Sequence, residues 1–370
     1  MNVIIDVRMI NENLHGIARY TYELIKNFIK LNDIKIYLLT CDNKFKEKIL
    51  NQNEDIRYII VKSGFLSIRE PIELPIKLNK YKNEAIFHSP SFVSSPFIRC
   101  PTIMTIHDLN HLKFPEYYTK FHKYYYNYIV KPSALNAKKV LTVSNFSKME
   151  IVNWLKCDSE KVVVTYNGVD ENFKVINDKD KLIIIRKKYD LPQKFVLYIG
   201  NLKPHKNITN LIKAIKKINQ EIMLVINGES NEILNKIIKE NNLENKVKFI
   251  GYVDDDDLPA LYNLAELFVY PSLYEGFGLP PLEAMACGCP VITSNTSSLP
   301  EVVGEAGIMV NPYNVEEIAR AIDLVLLNEN LRREMIEKGL KQAKKFSWRK
   351  TAEETLKVYE DVYKETFGGE

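Results

Sequence analysis

Short apolar runs recur along the chain and alternate with segments whose apolar positions return every three or four residues. Asn2–Val7, Lys35–Thr40, Ile56–Val61, a run starting at Ala85, Thr102–Ile106 and Val162–Thr165 read as buried strands. Val140-Leu-Thr-Val leads through Ser144 or Asn145, either of which suits a helix cap, into a further helix. Ile17–Leu31 carries the helical period. The second half repeats this rhythm, with Phe195–Ile199, Ile222–Ile226, Val247–Ile250, Leu267–Val269 and Val291–Thr293 as strands and Ile208–Ile218 as a helix. Strands that alternate with helices predict an α/β fold with doubly wound parallel sheets. The polar stretch Glu171–Asp180 reads as a linker, so the expected domains are 1–174 and 175–346. The tail from Phe346-Ser-Trp348 through Tyr363 is a last amphipathic helix.

Length agrees with two domains, since 370 residues is about twice a usual domain. The chain is 46% hydrophobic and 26% charged, ample for two cores. No apolar run approaches the roughly 20 residues that span a bilayer. The first residues go straight into a strand without a basic leader and cleavage site, so the expected location is the cytoplasm. Net charge is +4 but uneven: residues 1–174 hold 25 Lys+Arg and 18 Asp+Glu (+7), and residues 175–370 hold 26 and 29 (−3). The basic half hints at an anionic surface or partner. It falls well short of a nucleic-acid footprint, and no nucleic-acid motif accompanies it. Five scattered cysteines argue for reduced thiols. Cys287-Gly-Cys289 lacks zinc-knuckle spacing and reads as a tight helix-to-strand turn.

The chemistry concentrates between Val269 and Ala286. A buried strand ends in a loop containing two glycines and Glu275; Pro280-Pro281 then opens a helix that carries Glu283 in its first turns. In open α/β sheets the crevice beyond the strand C-termini binds ligands. A helix N-terminus there favours an anion, and glycines let the backbone approach it. Carboxylates beside such a site suit hydroxyl groups, from which they accept hydrogen bonds without a metal.

The string Glu275-Gly276-Phe277-Gly278-Leu279-Pro-Pro-Leu-Glu283-Ala resembles the signature of the group 1, or family 4, retaining glycosyltransferases. That resemblance implies the GT-B architecture, two Rossmann-like domains facing each other across a cleft. It also implies that the last helix, about 347–370, returns to the N-terminal domain, which would take the acceptor while the C-terminal domain holds the donor. Gly16-Ile-Ala-Arg19-Tyr20 resembles the glycine loop of mannosyltransferase-like members, with Gly16 near the donor phosphates and Arg19 as a cation or merely an exposed arginine. His107, at the end of a strand, matches a family histidine that faces the donor sugar; the alternative is a structural histidine. Gly200 and Lys206 match the diphosphate turn. Asn201 stands where the family often has arginine, which leaves Lys203, Arg19 or nothing as a second cation. Backbone near Gly251-Tyr252 would lie against the base, and Tyr166-Asn-Gly-Val-Asp170 also matches. Glu283 would accept from ribose hydroxyls, Glu275 would hold sugar hydroxyls, and Gly276 to Leu279 would line the donor.

The implied catalytic set is His107, Lys206 and Glu275. The implied activity is transfer of a sugar from a nucleotide-diphosphate donor to a glycan or lipid-linked hydroxyl in cell-surface polysaccharide synthesis. GDP-mannose is the first donor expected and a UDP-sugar the second, with no cofactor and no metal. Three rivals remain: a sugar phosphorylase, a nucleotide-sugar epimerase, and a noncatalytic nucleotide-sugar-binding protein. The four acids Asp254–Asp257 could suggest a metal, but they precede a helix and suit its N-terminus better. Phe114–Lys131 is rich in tyrosine and lysine. One reading is a peripheral contact at the inner face of the membrane. The reading taken is a helix from Pro115 to about Val130, packed inward by the stripe Tyr117, Phe121, Tyr124 and Tyr128 with Lys120 and Lys123 in water.

Overall fold

Two all-parallel sheets organise the chain, each within its own unit: Met1–Gly168 with Trp348–Glu370, and Val169–Ser347. The structure, a computed structural model, describes residues 1–10, 16–31, 34–41, 56–117 and 120–368. In the first unit β1 (Asn2–Asp6), β2 (Lys35–Thr40), β3 (Arg57–Ile60), β4 (Ala85–Ser89), β5 (Thr102–Thr105), β6 (Lys139–Thr142) and β7 (Val162–Val164) lie in the order β3-β2-β1-β4-β5-β6-β7. In the second, β8 (Phe195–Tyr198), β9 (Met223–Ile226), β10 (Val247–Phe249), β11 (Leu267–Tyr270), β12 (Val291–Ser294) and β13 (Ile308–Val310) lie in the order β10-β9-β8-β11-β12-β13. The central strands are buried along their whole length. Helices cover both faces of such sheets, so their strands read as continuous apolar runs rather than as alternation. In each unit the strand order reverses beside the first strand, which leaves a crevice at the carboxyl edge.

The unit boundary falls between Gly168 and Val169, not at 174. Packing sets it. Val169 donates to the Phe346 carbonyl at 3.3 Å, Phe173 is buried against the Tyr262 ring, and the Asn263 amide donates to the Lys174 carbonyl at 2.9 Å. Most of the expected linker is likewise tied down. Ile176 donates to the Asn263 side chain at 2.8 Å, and Asp178 caps a helix, Lys179–Lys188, by accepting from the Lys181 amide at 3.1 Å.

The helix Trp348–Phe367 belongs to the first unit. Trp348 and Tyr359 pack edge-on and tilted against Tyr20 and Phe28 of the helix Ile17–Leu31. The Tyr359 hydroxyl meets His88 Nδ1 at 2.5 Å, while His88 Nε2 meets Thr105 Oγ1 at 2.8 Å. Burial, with His107 nearby, pushes His88 down to about 3, so the imidazole is neutral. At the carboxyl end of β1, Arg8 is buried between two carboxylates, with Nη2 2.7 Å from Asp6 and 2.7 Å from Glu70. Arg8 also donates to the Ser63 carbonyl at 3.1 Å, which fastens the loop after β3 and the helix Glu70–Leu78 that follows.

The tyrosine-rich segment differs from the single inward-facing helix expected. It is a turn at Pro115–Tyr117, a helix Lys120–Tyr125, a π-helical turn Tyr126–Val130 and a helix Lys131–Asn136. A π turn carries one extra residue and so rotates the buried face. Tyr126 and Val130 turn inward, where Tyr126 packs on Phe92 and Trp154. Tyr117, Tyr124 and Tyr128 face water, the last two stacked on each other.

Two outcomes follow from these contacts. A buried neutral His88 refuses a proton that the unfolded chain accepts below its ordinary value of 6.5, so its contribution to stability is full above that pH and is lost as pH falls toward 3. His88→Gln should therefore have lower stability at neutral pH. Its urea-derived stability should also fall less steeply with acid than the wild type's, by about 1.4 kcal/mol per pH unit around pH 5. Gly278 has φ 115°, and a Cβ there would lie 2.8 Å from Leu299 Cδ2. Gly278→Ala should lose about 1–3 kcal/mol in urea denaturation. Gly16→Ala should lose less, because φ is 54° there but no atom of the described residues lies within 4 Å of the added carbon.

Candidate active site

β8 and β11 are neighbours at the reversal point of the second sheet, so the loops leaving their carboxyl ends emerge side by side. Those loops are stitched together. Leu273 donates to the His205 carbonyl at 2.8 Å, and Ser272 Oγ to the same carbonyl at 3.1 Å. Asn207 sits in left-handed backbone at φ 60°, which asparagine tolerates. Its side-chain amide donates to the carbonyls of Pro271 at 3.0 Å and Pro312 at 2.7 Å. This lashing sets where Lys206 and Glu275 point.

They point at each other. Lys206 Nζ lies 2.6 Å from Glu275 Oε1, with the two side chains 11% and 13% exposed. The ammonium also donates to the Tyr270 hydroxyl at 2.8 Å. Burial and the Glu275 carboxylate raise the Tyr270 phenol well above its ordinary range, so it stays protonated. Glu275 is held from the other side by the loop after β12: its amide donates to Ser297 Oγ at 3.1 Å, and Ser298 Oγ donates to the carbonyls of Glu275 and Phe277 at 3.0 and 2.7 Å. His205, beside Lys206, is pushed down to about 4 by burial and by that ammonium. The arrangement is a cation and an anion in a mostly dry, rigid setting at a strand-end crevice. It offers a charge to a phosphate and acceptor oxygens to hydroxyls.

Glu283 lies in the helix Leu279–Ala286 and is buried, with Oε2 accepting from the Tyr262 hydroxyl at 3.1 Å. The rings of Tyr198 and Phe268 both stack with Tyr270, and Tyr262 meets Phe268 edge-on. This buried aromatic cluster carries the hydroxyls that meet Lys206 and Glu283. The helix begins at Leu279, with Gly278 as its cap. Pro280 and Pro281 carry no N–H, so of the first three helical residues only Leu279 offers one. The anion preference of this end therefore rests more on the dipole and on Lys206 than the motif alone implies.

Gly200, Lys206, Glu275, Gly276, Phe277, Gly278, Leu279 and Glu283 all come from the two stitched loops and the helix that follows them. Gly200 is required by space: at φ 155° an added Cβ would lie 2.9 Å from Tyr198 Oη. Its amide donates to Asn227 Oδ1 at 2.7 Å. Asn201 is turned into its own loop, accepting from the Lys203 amide at 3.2 Å. Phe277 is buried against Phe346, so its ring serves packing rather than a ligand. Tyr252 is exposed just past β10, beside Gly251, whose backbone pairs with Gly228.

Three predicted residues lie in the first unit. Gly16 and Arg19 stand at and just inside the start of the helix Ile17–Leu31; residues 11–15 of the preceding loop lie outside the described ones. His107 follows β5, half-buried, donating from Nε2 to the Pro90 carbonyl at 3.0 Å and meeting the Tyr20 ring edge-on. Burial pushes it down to about 4 despite that bond, so Nδ1 is left as an acceptor.

Sequence reasoning missed Tyr270, Tyr262, Asn207, Ser297 and Ser298. The signal available was the polar run Ser294-Asn-Thr-Ser-Ser after a buried strand, which has more hydroxyls than a cap needs. The acids Asp254 and Asp257 are both engaged by Lys188 Nζ at 2.6 Å, and Asp257 starts its helix without a side-chain cap bond. Among the described residues no group of three or more His, Cys, Asp or Glu is placed to hold a metal ion. Cys287 and Cys289 are free and buried on either side of Gly288, and burial pushes both thiols up.

The model of the glycosyl transferases group 1 matches residues 180–342, and that of glycosyltransferase family 4 matches residues 14–173. The O-antigen chain mannosyltransferase B of Escherichia coli is 32% identical, over 97% of this chain and 99% of its own. Among solved structures, a glycosyltransferase from Rickettsia africae superposes with a TM-score of 0.76 at 22% identity, covering 98% of both chains. An Anabaena protein in complex with UDP-glucose gives 0.77 at 18% identity, over 98% of this chain and 100% of that one. With a relative matched end to end, family models on both units and the GT-B fold, the chain belongs to the group 1, family 4 glycosyltransferases and is a glycosyltransferase.

Proposed function

We propose that this glycosyltransferase moves a mannosyl residue from GDP-mannose to a hydroxyl of a growing cell-surface glycan, with retention at the anomeric carbon. The observation that carries the reading is the buried pair of Lys206 and Glu275 at the reversal point of the second sheet. The relative named O-antigen chain mannosyltransferase B, matched over nearly all of both chains, supports the sugar and the glycan. In the transfer, the bond between the anomeric carbon and the diphosphate oxygen breaks and a bond to the acceptor oxygen forms, with loss of the hydroxyl proton. The departing diphosphate gains negative charge. Lys206, already aimed and desolvated, is the group assigned to offset it; such preorganised charge is often the largest catalytic contribution. Glu275 takes hydroxyls of the donor sugar and Glu283 those of the ribose. His107 is the further residue that the family resemblance assigns to the sugar. No step in this reading calls on a metal.

Ligand-dependent melting tests the donor. At about 100 times its dissociation constant a ligand adds about 2.7 kcal/mol. GDP and GDP-mannose should raise the melting temperature, with and without EDTA, while UDP should not. A UDP-selective shift would replace the donor with a UDP-sugar. A protein that no nucleotide stabilises, yet that turns over with free phosphate, would be a phosphorylase.

Activity tests the roles. Lys206→Ala should lower kcat by roughly 10²- to 10³-fold. Glu275→Gln should lower kcat/KM by roughly ten- to a hundredfold, with unchanged circular dichroism. His107→Ala should lower kcat at constant GDP affinity. Wild-type rates in both the lysine and the glutamate variants would remove the pair from the chemistry.

A further inference from the structure

The helix Glu70–Leu78 buries Leu74, Pro75 and Leu78 and leaves its two isoleucines in water. Ile72 and Ile76, four residues apart in the helix, share one face, and Ile68 lies in the turn that leads into it. Ile68, Ile72 and Ile76 are 83%, 69% and 71% exposed. Phe97, 67% exposed, stands beside the end of this helix, where the Asn79 amide donates to the Phe97 carbonyl at 3.4 Å and Asn79 Oδ1 accepts from the Arg99 amide at 2.7 Å. Isolated apolar residues on a surface need no explanation, but two aligned isoleucines with a third just before their helix and a phenylalanine beside its end do.

Within this helix and at its ends, among the described residues, the charges are sorted by sign. Both glutamates of the helix are turned away from the isoleucines. Glu70 is buried on Arg8 at 2.7 Å, and Glu73 accepts from the amides of Lys62 and Ser63 at 2.7 and 2.8 Å and from Ser63 Oγ at 2.6 Å. Arg69 and Lys80, at the two ends of the helix, and Arg99, two residues from Phe97, are exposed. The result is an apolar ridge bordered by cations on a helix locked to the sheet through the Arg8 cluster. It is distinct from the tyrosine-rich segment Phe114–Lys131.

We propose that this face docks on an anionic lipid surface, with Ile68, Ile72, Ile76 and Phe97 entering the interfacial region and Arg69, Lys80 and Arg99 meeting headgroup phosphates. Apolar side chains backed by basic ones are the chemistry of interfacial helices. A second copy of the chain is the poorer occupant. A two-fold contact would bring the same cations face to face.

Co-sedimentation with vesicles tests the proposal, with no sugar donor present, so that its outcome is independent of the donor reading. Wild-type protein should bind phosphatidylcholine vesicles that contain phosphatidylglycerol. Binding should be weaker to pure phosphatidylcholine and weaker in high salt. Ile72→Ser with Ile76→Ser should lower the partition coefficient by at least roughly tenfold at an unchanged melting temperature, because both side chains already face water. Arg69→Glu with Arg99→Glu should abolish the preference for anionic vesicles. Failure of wild type to bind either vesicle at physiological salt would overturn the proposal. So would binding that survives the isoleucine changes but is lost with Tyr124→Ser and Tyr128→Ser, or a wild-type dimer that the isoleucine changes turn into a monomer.

Discussion

A lysine and a glutamate held 2.6 Å apart, each mostly out of water, are the constraint that the second unit is built to satisfy. Burying either charge alone would be strongly unfavourable, and burying both is tolerable only when each is well bonded. The fold meets this condition in layers. Parallel strands bring two loops together, Asn207 and Ser272 bind those loops to each other, and Ser297 and Ser298 hold the glutamate's backbone. Stacked tyrosines below keep the lysine's remaining partner in place. The two charges neutralise each other, yet each retains capacity for a further partner. A site of this kind can meet a phosphate and a hydroxyl without first rearranging.

The first unit depends on different contacts. Arg8 ties the end of β1 to the helix Glu70–Leu78, and His88 ties β4 and β5 to the final helix through Tyr359. Both are buried polar links across long sequence separations. Such links specify which elements meet, where apolar packing alone would accept several arrangements.

Strands covered on both faces betray themselves as unbroken apolar runs, which is why the cores of both sheets could be read to within a residue or so. The motif glutamates and Lys206 were legible for another reason: glycines and prolines punctuate the turns that display them. The helix Glu70–Leu78 was not legible. Pro75 in its interior argues against a helix, and its isoleucines face outward while Glu70 is buried, the reverse of the amphipathic rule. The helix Lys179–Lys188 was not read; its first two residues fall at the end of the polar stretch taken as a linker. The tyrosine stripe failed because the segment is not one helix: Tyr117 ends a separate turn, and in the π turn Tyr126 and Val130, rather than Tyr128, face the core. Tyr270 and Tyr262 looked like ordinary core; only the fold shows that their hydroxyls end at Lys206 and Glu283.

The connectivity has a consequence for how the chain is made. The second unit is one continuous stretch, Val169–Ser347, set inside a first unit whose last helix comes from the end of the sequence. As the chain leaves the ribosome, the second unit has all its strands while the first still lacks Trp348, Thr351 and Tyr359, which fill its core. The half synthesised first must therefore be the half completed last. Until the final helix arrives, the part of the core it closes, at Tyr20, Phe28 and His88, lacks that packing, and the nascent protein passes through a stage in which one unit is finished and the other waits, open to chaperones and to misassembly.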